Sequence, residues 1–360
     1  MSTPIMLAPM AEISHRALRE LIEGFKPKTG GIPGSHGADE YFTEMISAGA
    51  LLGGGPWEAW YADNGPCPEK LIFQLVGGDE GQLCRAAALL DKQECLGIDI
   101  NMGCSAPAIT RTGAGVRWMA DIDKAAALIR RVRPQVSRRL SVKLRTGFDD
   151  NFEYLVNFCR HLEEEGVDLI TLHPRTAKEK FKRRARWGQI SALRKELKIP
   201  VAGNGDICSA AEILSRAREC DGVMVGRLAV RRPWIFAEAK SAPEMVPEMV
   251  PGTISEGTVS EGTVSEGTVS EGTVSEGTVS EGAFLEETGL RFLELLSLYQ
   301  PPEFHVSRAM RFFHYFCDNL KWGNYVKNLL NRESDFSGIE RAWRGYFSST
   351  GPDALSRAEP

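Results

Sequence analysis

The sequence predicts an α/β chain: a closed (β/α)₈ TIM barrel followed by a small all-helical domain. Three observations predict it. Short apolar runs alternate with amphipathic helical stretches from the start of the chain to about residue 240. There are eight such runs, and eight βα units in roughly 250 residues is the size of this barrel. Polar residues recur where nearly every run ends, which is where such a barrel carries its active site.

The candidate strands are Ile5–Ala8, Tyr41–Glu44, Leu71–Val76, Gly97–Asn101, Leu140–Arg145, Leu169–His173, Pro200–Asn204 and Gly222–Val225. The stretches between them are helical; Leu155, Cys159 and Leu162, for instance, share one face. Ser209 with Glu212 forms a capping box, and Pro233 suits the first turn of a closing helix. Alternating β and α implies a parallel sheet buried on both faces. A doubly wound open sheet is the alternative, but no G-x-G-x-x-G follows the first strand.

The barrel domain is assigned to residues 1–242. Residues 243–283 are low in complexity: Glu-Met-Val-Pro occurs twice, then Ser-Glu-Gly-Thr-Val repeats with period five. That period matches neither helix nor strand, and Gly and Glu in each unit oppose packing, so a disordered linker without catalytic content is expected. Residues 284–348 read as helical again, with Phe292, Leu295, Leu296, Met310 and Phe313 apolar and Lys321, Lys327, Arg332, Arg341 and Arg344 between such positions. Residues 349–360 are expected to be a flexible tail.

The formal charge of −5 comes from 43 basic and 48 acidic residues. Residues 243–287 hold ten of those acidic residues and no basic one, so the rest of the chain is weakly basic. Such a body suits an RNA partner without demanding one. Eight cysteines are scattered, with no C-x-x-C pair and no zinc spacing, so no metal is expected. No run of about 18 apolar residues occurs, and the first residues lack a signal-peptide pattern. A cytoplasmic, monomeric protein away from membranes is the expectation.

The strand ends carry the chemistry. Read in order they are Ala8-Pro9-Met10-Ala11, Thr43-Glu44-Met45, Gln74 on the third strand, Asn101-Met102-Gly103-Cys104, Lys143 with Arg145, His173-Pro174-Arg175-Thr176, Gly203-Asn204-Gly205-Asp206 and Gly226-Arg227. The loops after strands 7 and 8 are the usual phosphate site of this barrel. There the glycines admit backbone N–H groups to an anion, and Arg227 adds a charge. Lys143, in an apolar strand, needs an anionic or polar partner, which a reduced flavin supplies. Gln74 could hydrogen-bond the flavin's amide edge, and otherwise reads as a satisfied core amide. His173 stands at a strand end beside Arg175. Cys104 is the cysteine whose place favours acid or nucleophile chemistry over packing.

As a set, Leu-Ala-Pro-Met-Ala, Asn-Met-Gly-Cys, Lys-Leu-Arg-Thr-Gly, His-Pro-Arg-Thr, Gly-Asn-Gly-Asp and Gly-Val-Met-Val-Gly-Arg resemble the tRNA-dihydrouridine synthase family over about residues 4–240. A weaker match follows at Ser307–Arg311. The resemblance implies an FMN-dependent reduction of uridine in tRNA, with NADPH re-reducing the flavin. By it, Pro9, Met10, Ala11, Gln74, Lys143, His173, Asn204, Gly205, Asp206, Gly226 and Arg227 hold FMN. The resemblance also implies that hydride would pass from flavin N5 to C6 of the base, with Cys104 protonating C5 from the opposite face. Asn101, Arg145 and Arg175 would meet the substrate, with Lys182, Arg183, Arg184, Arg308 and Arg311 on the tRNA. The chain departs from the family at Ser105, where Pro is usual, at Ala108, where a basic residue is common, and in the strongly basic Lys178–Arg186 loop. The alternatives are an FMN barrel enzyme of dihydroorotate dehydrogenase type, which would act on free pyrimidines, and a tRNA-binding protein without catalysis, which would be colourless.

Overall fold

In the computed structural model, residues 3–26, 37–241 and 281–350 are described. Most of the 243–283 segment and residues 351–360 lie outside them. Eight parallel strands close into a barrel in sequence order, with β8 pairing back onto β1. They are β1 (Ile5–Leu7), β2 (Glu40–Ser47), β3 (Leu71–Val76), β4 (Gly97–Met102), β5 (Arg139–Arg145), β6 (Leu169–His173), β7 (Val201–Asn204) and β8 (Gly222–Val225). The expected strands agree to within one residue at each end except β2, which starts one residue earlier and runs three residues further. Its register shifts between Phe42 and Met45, a bulge beside the mouth of the barrel.

Several of the helices between strands start at a side-chain cap. Asp79, Asp121, Asn151 and Ser209 each accept a hydrogen bond from the backbone N–H three residues on. Glu212 reaches back past the cap itself and accepts from the N–H of Cys208, one residue before Ser209, at 2.9 Å.

Side-chain alternation along the strands separates two environments. Outward residues such as Phe73, Ile98, Ile100, Val142 and Leu172 pack against the helices in one large core. Inward residues form a small apolar plug of Met6, Phe42, Ile72, Leu169, Ala202 and Met224. Above the plug the inward positions turn polar: Gln74, Asp99, Ser141 and Thr171 are fully buried. Gln74, Asp99 and Ser141 satisfy one another's polar groups, and that requirement shapes the site, whereas the Thr171 hydroxyl has no hydrogen-bond partner.

The tail consists of helices Glu281–Tyr299, Pro302–Phe316, Gly323–Leu330 and Phe336–Thr350. The first of these begins at Glu281, ahead of the expected 284. Its core is aromatic: Phe292 stacks on Phe312 with centroids 3.7 Å apart, and Phe313 lies 4.6 Å from Trp343. The tail packs on the barrel through Phe284 against Trp234 and Phe25, and through Phe292 against His15.

Candidate active site

The C-terminal ends of the strands surround a cavity of about 690 Å³. It is lined by fifteen of the residues expected at the site: Pro9, Met10, Ala11, Asn101, Cys104, Lys143, Arg145, His173, Arg175, Asn204, Gly205, Asp206, Gly226, Arg227 and Arg311. All but Arg311, which stands on the tail helix Pro302–Phe316, occupy their places because a strand ends there.

The wall is strongly cationic. Lys143, Arg145, Arg175, Arg227, Arg231 and Arg311 line it, with Asp206 and Asp318 as its carboxylates. Lys143 Nζ donates to Asn204 Oδ1 at 3.1 Å. Asn204 is held in that sense because its own Nδ2 donates to the carbonyl of Met224 at 2.7 Å. Burial, and then the charge of Arg145, pull the Lys143 ammonium down to about 8. The lysine is therefore cationic at neutrality but only weakly so, and an incoming anion would strengthen its charge.

His173 is pushed far below the ordinary histidine range by burial and by Lys143, Arg145, Arg175 and Arg227 around it. It is neutral. Arg175 Nη1 lies 2.8 Å from His173 Nε2, and a guanidinium only donates, so Nε2 accepts and the ring proton sits on Nδ1. Arg175 is itself fully committed. Nη2 binds both oxygens of Asp206 at 2.5–2.6 Å and Nε donates to the carbonyl of Arg183. It positions its neighbours, and is not the free substrate ligand expected from sequence. Asp206, also bonded by the N–H of Ala185 at 2.7 Å, lies 3.6 Å from Arg227. Burial would raise its carboxyl, but the bonds from Arg175 and Ala185 hold it below the usual range. Gly205 has φ +126°, and a Cβ there would lie 2.9 Å from both Ala185 and the His173 ring, so only glycine fits this approach.

Cys104 stands on the turn after β4. Asn101 Oδ1 accepts from the backbone N–H groups of Gly103 at 3.2 Å and Cys104 at 2.9 Å. The carbonyl of Cys104 accepts from Val116 at 2.9 Å, and Gly115, at φ +63°, leaves room for it: a Cβ would come within 2.4 Å of that oxygen. Arg145 ties this turn to the basic loop, with Nε on the Gly103 carbonyl at 3.0 Å and Nη1 on the Lys180 carbonyl at 3.1 Å.

Several expected residues are placed differently. Gln74 does not line the cavity; it is buried one layer below, its Nε2 on Asp99 and its Oε1 accepting from Asn101. Arg308, expected on RNA, is only 2 % exposed and bonds Glu44 Oε2 at 2.9 Å. A cation enclosed between barrel and tail cannot reach a phosphate, so that assignment is corrected. Arg311 does reach the cavity wall but pairs with Glu12 at 2.6 Å. In the loop after β6, Lys182, Arg183 and Arg184 are exposed, whereas Arg186 turns back to Glu179 and Asp150.

One lining residue, Phe181, and one that braces the wall from outside, Glu12, escaped the sequence reading. Phe181, 63 % exposed, lies at the cavity rim with its ring centroid 5.6 Å from the Arg145 guanidinium and 5.2 Å from that of Arg227. Its signal was an aromatic inside a run of cations. Glu12 adopts φ +63° just after the first motif, its N–H bonded to Glu44 and its carboxylate to Arg311. Only pairing across the fold, which no local pattern reveals, identifies it.

Among the described residues no three His, Cys, Asp or Glu side chains gather to hold a metal, and no helix is long and apolar enough to cross a membrane.

The family model described as dihydrouridine synthase matches residues 6–263. The chain is 34 % identical to a probable tRNA-dihydrouridine synthase of Aquifex aeolicus over 247 residues, covering 66 % of this chain and 72 % of that one. It is 32 % identical to one of Mycobacterium tuberculosis (strain CDC 1551 / Oshkosh) over 271 residues, covering 71 % and 67 %. With tRNA-dihydrouridine synthase B of Pseudomonas putida the identity is 29 % over 236 residues, covering 65 % and 67 %.

Proposed function

The chain belongs to the dihydrouridine synthase family, and from that premise we propose that it reduces the C5–C6 bond of uridine in tRNA, with FMN as cofactor and NADPH as electron donor. The observation that carries the reading is the meeting, in one cavity, of a cationic wall with the turn that presents Cys104. The donor set fits FMN. The glycine approach at Gly205, the Gly226–Arg227 step and Asn204 suit its phosphate, and Lys143 suits a ring that gains negative charge on reduction. Pro9, Met10 and Ala11 would form the floor beside it. Bound FMN would supply the hydride, restored by NADPH.

The rest falls to the protein. Neutral His173 offers Nδ1–H as a donor, oriented by Arg175. Cys104 Sγ–H would give its proton to C5 of the base, and Asn101 and Arg145 hold its turn in place. A uridine must leave its stack to reach this depth, and Phe181 with Arg145 forms the rim it would pass. The exposed cations Lys182, Arg183 and Arg184 stand on the loop that closes the rim and favour a polyanionic substrate over a free pyrimidine. The purified protein should be yellow, or turn so with added FMN. A spectrum without flavin bands after FMN addition refutes the cofactor assignment.

A further inference from the structure

Asp99 is completely buried inside the barrel, two residues before Asn101 on the same face of β4. Its two oxygens are used separately. Oδ1 accepts from the Ser141 hydroxyl at 2.6 Å, and Oδ2 accepts from Gln74 Nε2 at 2.7 Å. Gln74 Oε1 accepts from Asn101 Nδ2 at 2.9 Å, and Asn101 Oδ1 accepts from the Cys104 N–H. These bonds form one ladder from the barrel interior to the turn that carries the cysteine.

We propose that Asp99 is a positioning residue that fixes the direction of this ladder and so holds the Cys104 turn in its reactive place. A carboxylate only accepts, so Gln74 must turn its amide NH₂ toward Asp99 and its oxygen toward Asn101. Asn101 must then turn its NH₂ toward Gln74, which leaves its oxygen for the backbone. If Gln74 were reversed, Asn101 would have to reverse too, and its NH₂ would face the N–H of Cys104, donor against donor. Both ends of the ladder are unambiguous groups, and the two amides between them have a single consistent orientation. Gln74 and Asp99 are fully buried and Asn101 nearly so, and water cannot replace a lost bond cheaply there.

The catalytic part of this inference rests on the acid role of Cys104 proposed above, so the test includes a readout that does not. Hydrogen exchange of the backbone at residues 101–106, followed by mass spectrometry on the full-length protein at pH 8, reports the turn directly. Asp99→Leu should speed that exchange about tenfold. It should also slow uridine reduction by the FMN-saturated protein by roughly ten- to a hundredfold, while flavin reduction by NADPH in that saturated protein stays at its wild-type value. Asp99→Asn can still accept from Gln74 and donate to the Ser141 oxygen. It should restore exchange and turnover to within about threefold of wild type.

A swap of the carboxylate keeps the test decisive if Asp99→Leu does not fold. Asn101→Asp alone sets two acceptors on either side of Gln74 and should loosen the turn. Adding Asp99→Asn gives Gln74 a donor on one side and an acceptor on the other, and should restore protection. Unchanged exchange in Asp99→Leu, an Asp99→Asn variant as impaired as Asp99→Leu, or a swap that fails to restore protection would each overturn the inference. If the wild-type protein makes no dihydrouridine, the functional reading falls, and the exchange data still judge the ladder.

Discussion

Arg308→Met removes the guanidinium that binds Glu44 where barrel and tail meet. Both side chains are 2 % exposed, so the variant leaves a buried carboxylate without its partner. Breaking such a pair from one side typically costs about 3–5 kcal/mol. At roughly 2–4 °C per kcal/mol, melting should fall by about 6–20 °C. The deficit should depend on pH. Burial raises the Glu44 carboxyl above its ordinary value, while Arg308 pulls it back. A carboxyl raised in the native state binds more protons there than in the unfolded chain, so its contribution to stability falls as pH rises between the two values. Removing Arg308 extends that interval upward. Thermal unfolding followed by circular dichroism should therefore show the largest deficit near pH 8 and a smaller one near pH 5. Glu44→Gln added to Arg308→Met should recover most of the loss. A deficit below about 1 kcal/mol at pH 8, or one that is equal at both pH values, would refute the claim that this pair fastens the tail.

Three further outcomes follow from the site. Cys104→Ala should keep FMN binding and flavin reduction by NADPH but lose roughly 10²–10⁴ in uridine reduction, measured by single turnover; full activity would reassign the acid. Changing Lys182, Arg183 and Arg184 together to Ala should weaken tRNA binding and reduce the slope of log affinity against log salt by about 2–3. Filter-binding titrations check this, and an unchanged slope would mean that the loop does not meet RNA. Lys143 loses its charge through about 8, so FMN binding, followed by fluorescence quenching, should weaken between pH 7 and pH 9 in the wild type and stay flat over that range in Lys143→Met.

The barrel was legible because it repeats. Eight apolar runs at helical spacing and a polar residue at each mouth place the strands to within one residue at seven of the eight, and β2 ran longer because its bulge carries pairing on to Ser47. The lining residues other than Arg311 were legible for the same reason: the end of a strand is a position that sequence marks. Misplaced residues are those whose role is set by a partner far along the chain. Arg308 looks like any basic helix residue until Glu44, 264 residues away, is found beside it. Gln74 stands at the expected height, but the buried carboxylate of Asp99 draws its amide down. Arg175 and Arg186 read as free cations, yet Asp206 and Glu179 neutralise them. Charge counting along a loop cannot reveal such pairing. It left Lys182, Arg183 and Arg184 as the outward cations only once the structure removed Arg186 from their number.

The measurement that bears most directly on the central claim is dihydrouridine formation in vitro. Unmodified tRNA would be incubated with the FMN-loaded protein and NADPH, and its nucleosides analysed by mass spectrometry. Uridine that has gained two hydrogens is expected in the presence of the wild-type protein, and almost none with Cys104→Ala. A flavin-loaded protein that oxidises NADPH yet leaves every uridine of the tRNA unreduced would contradict the claim.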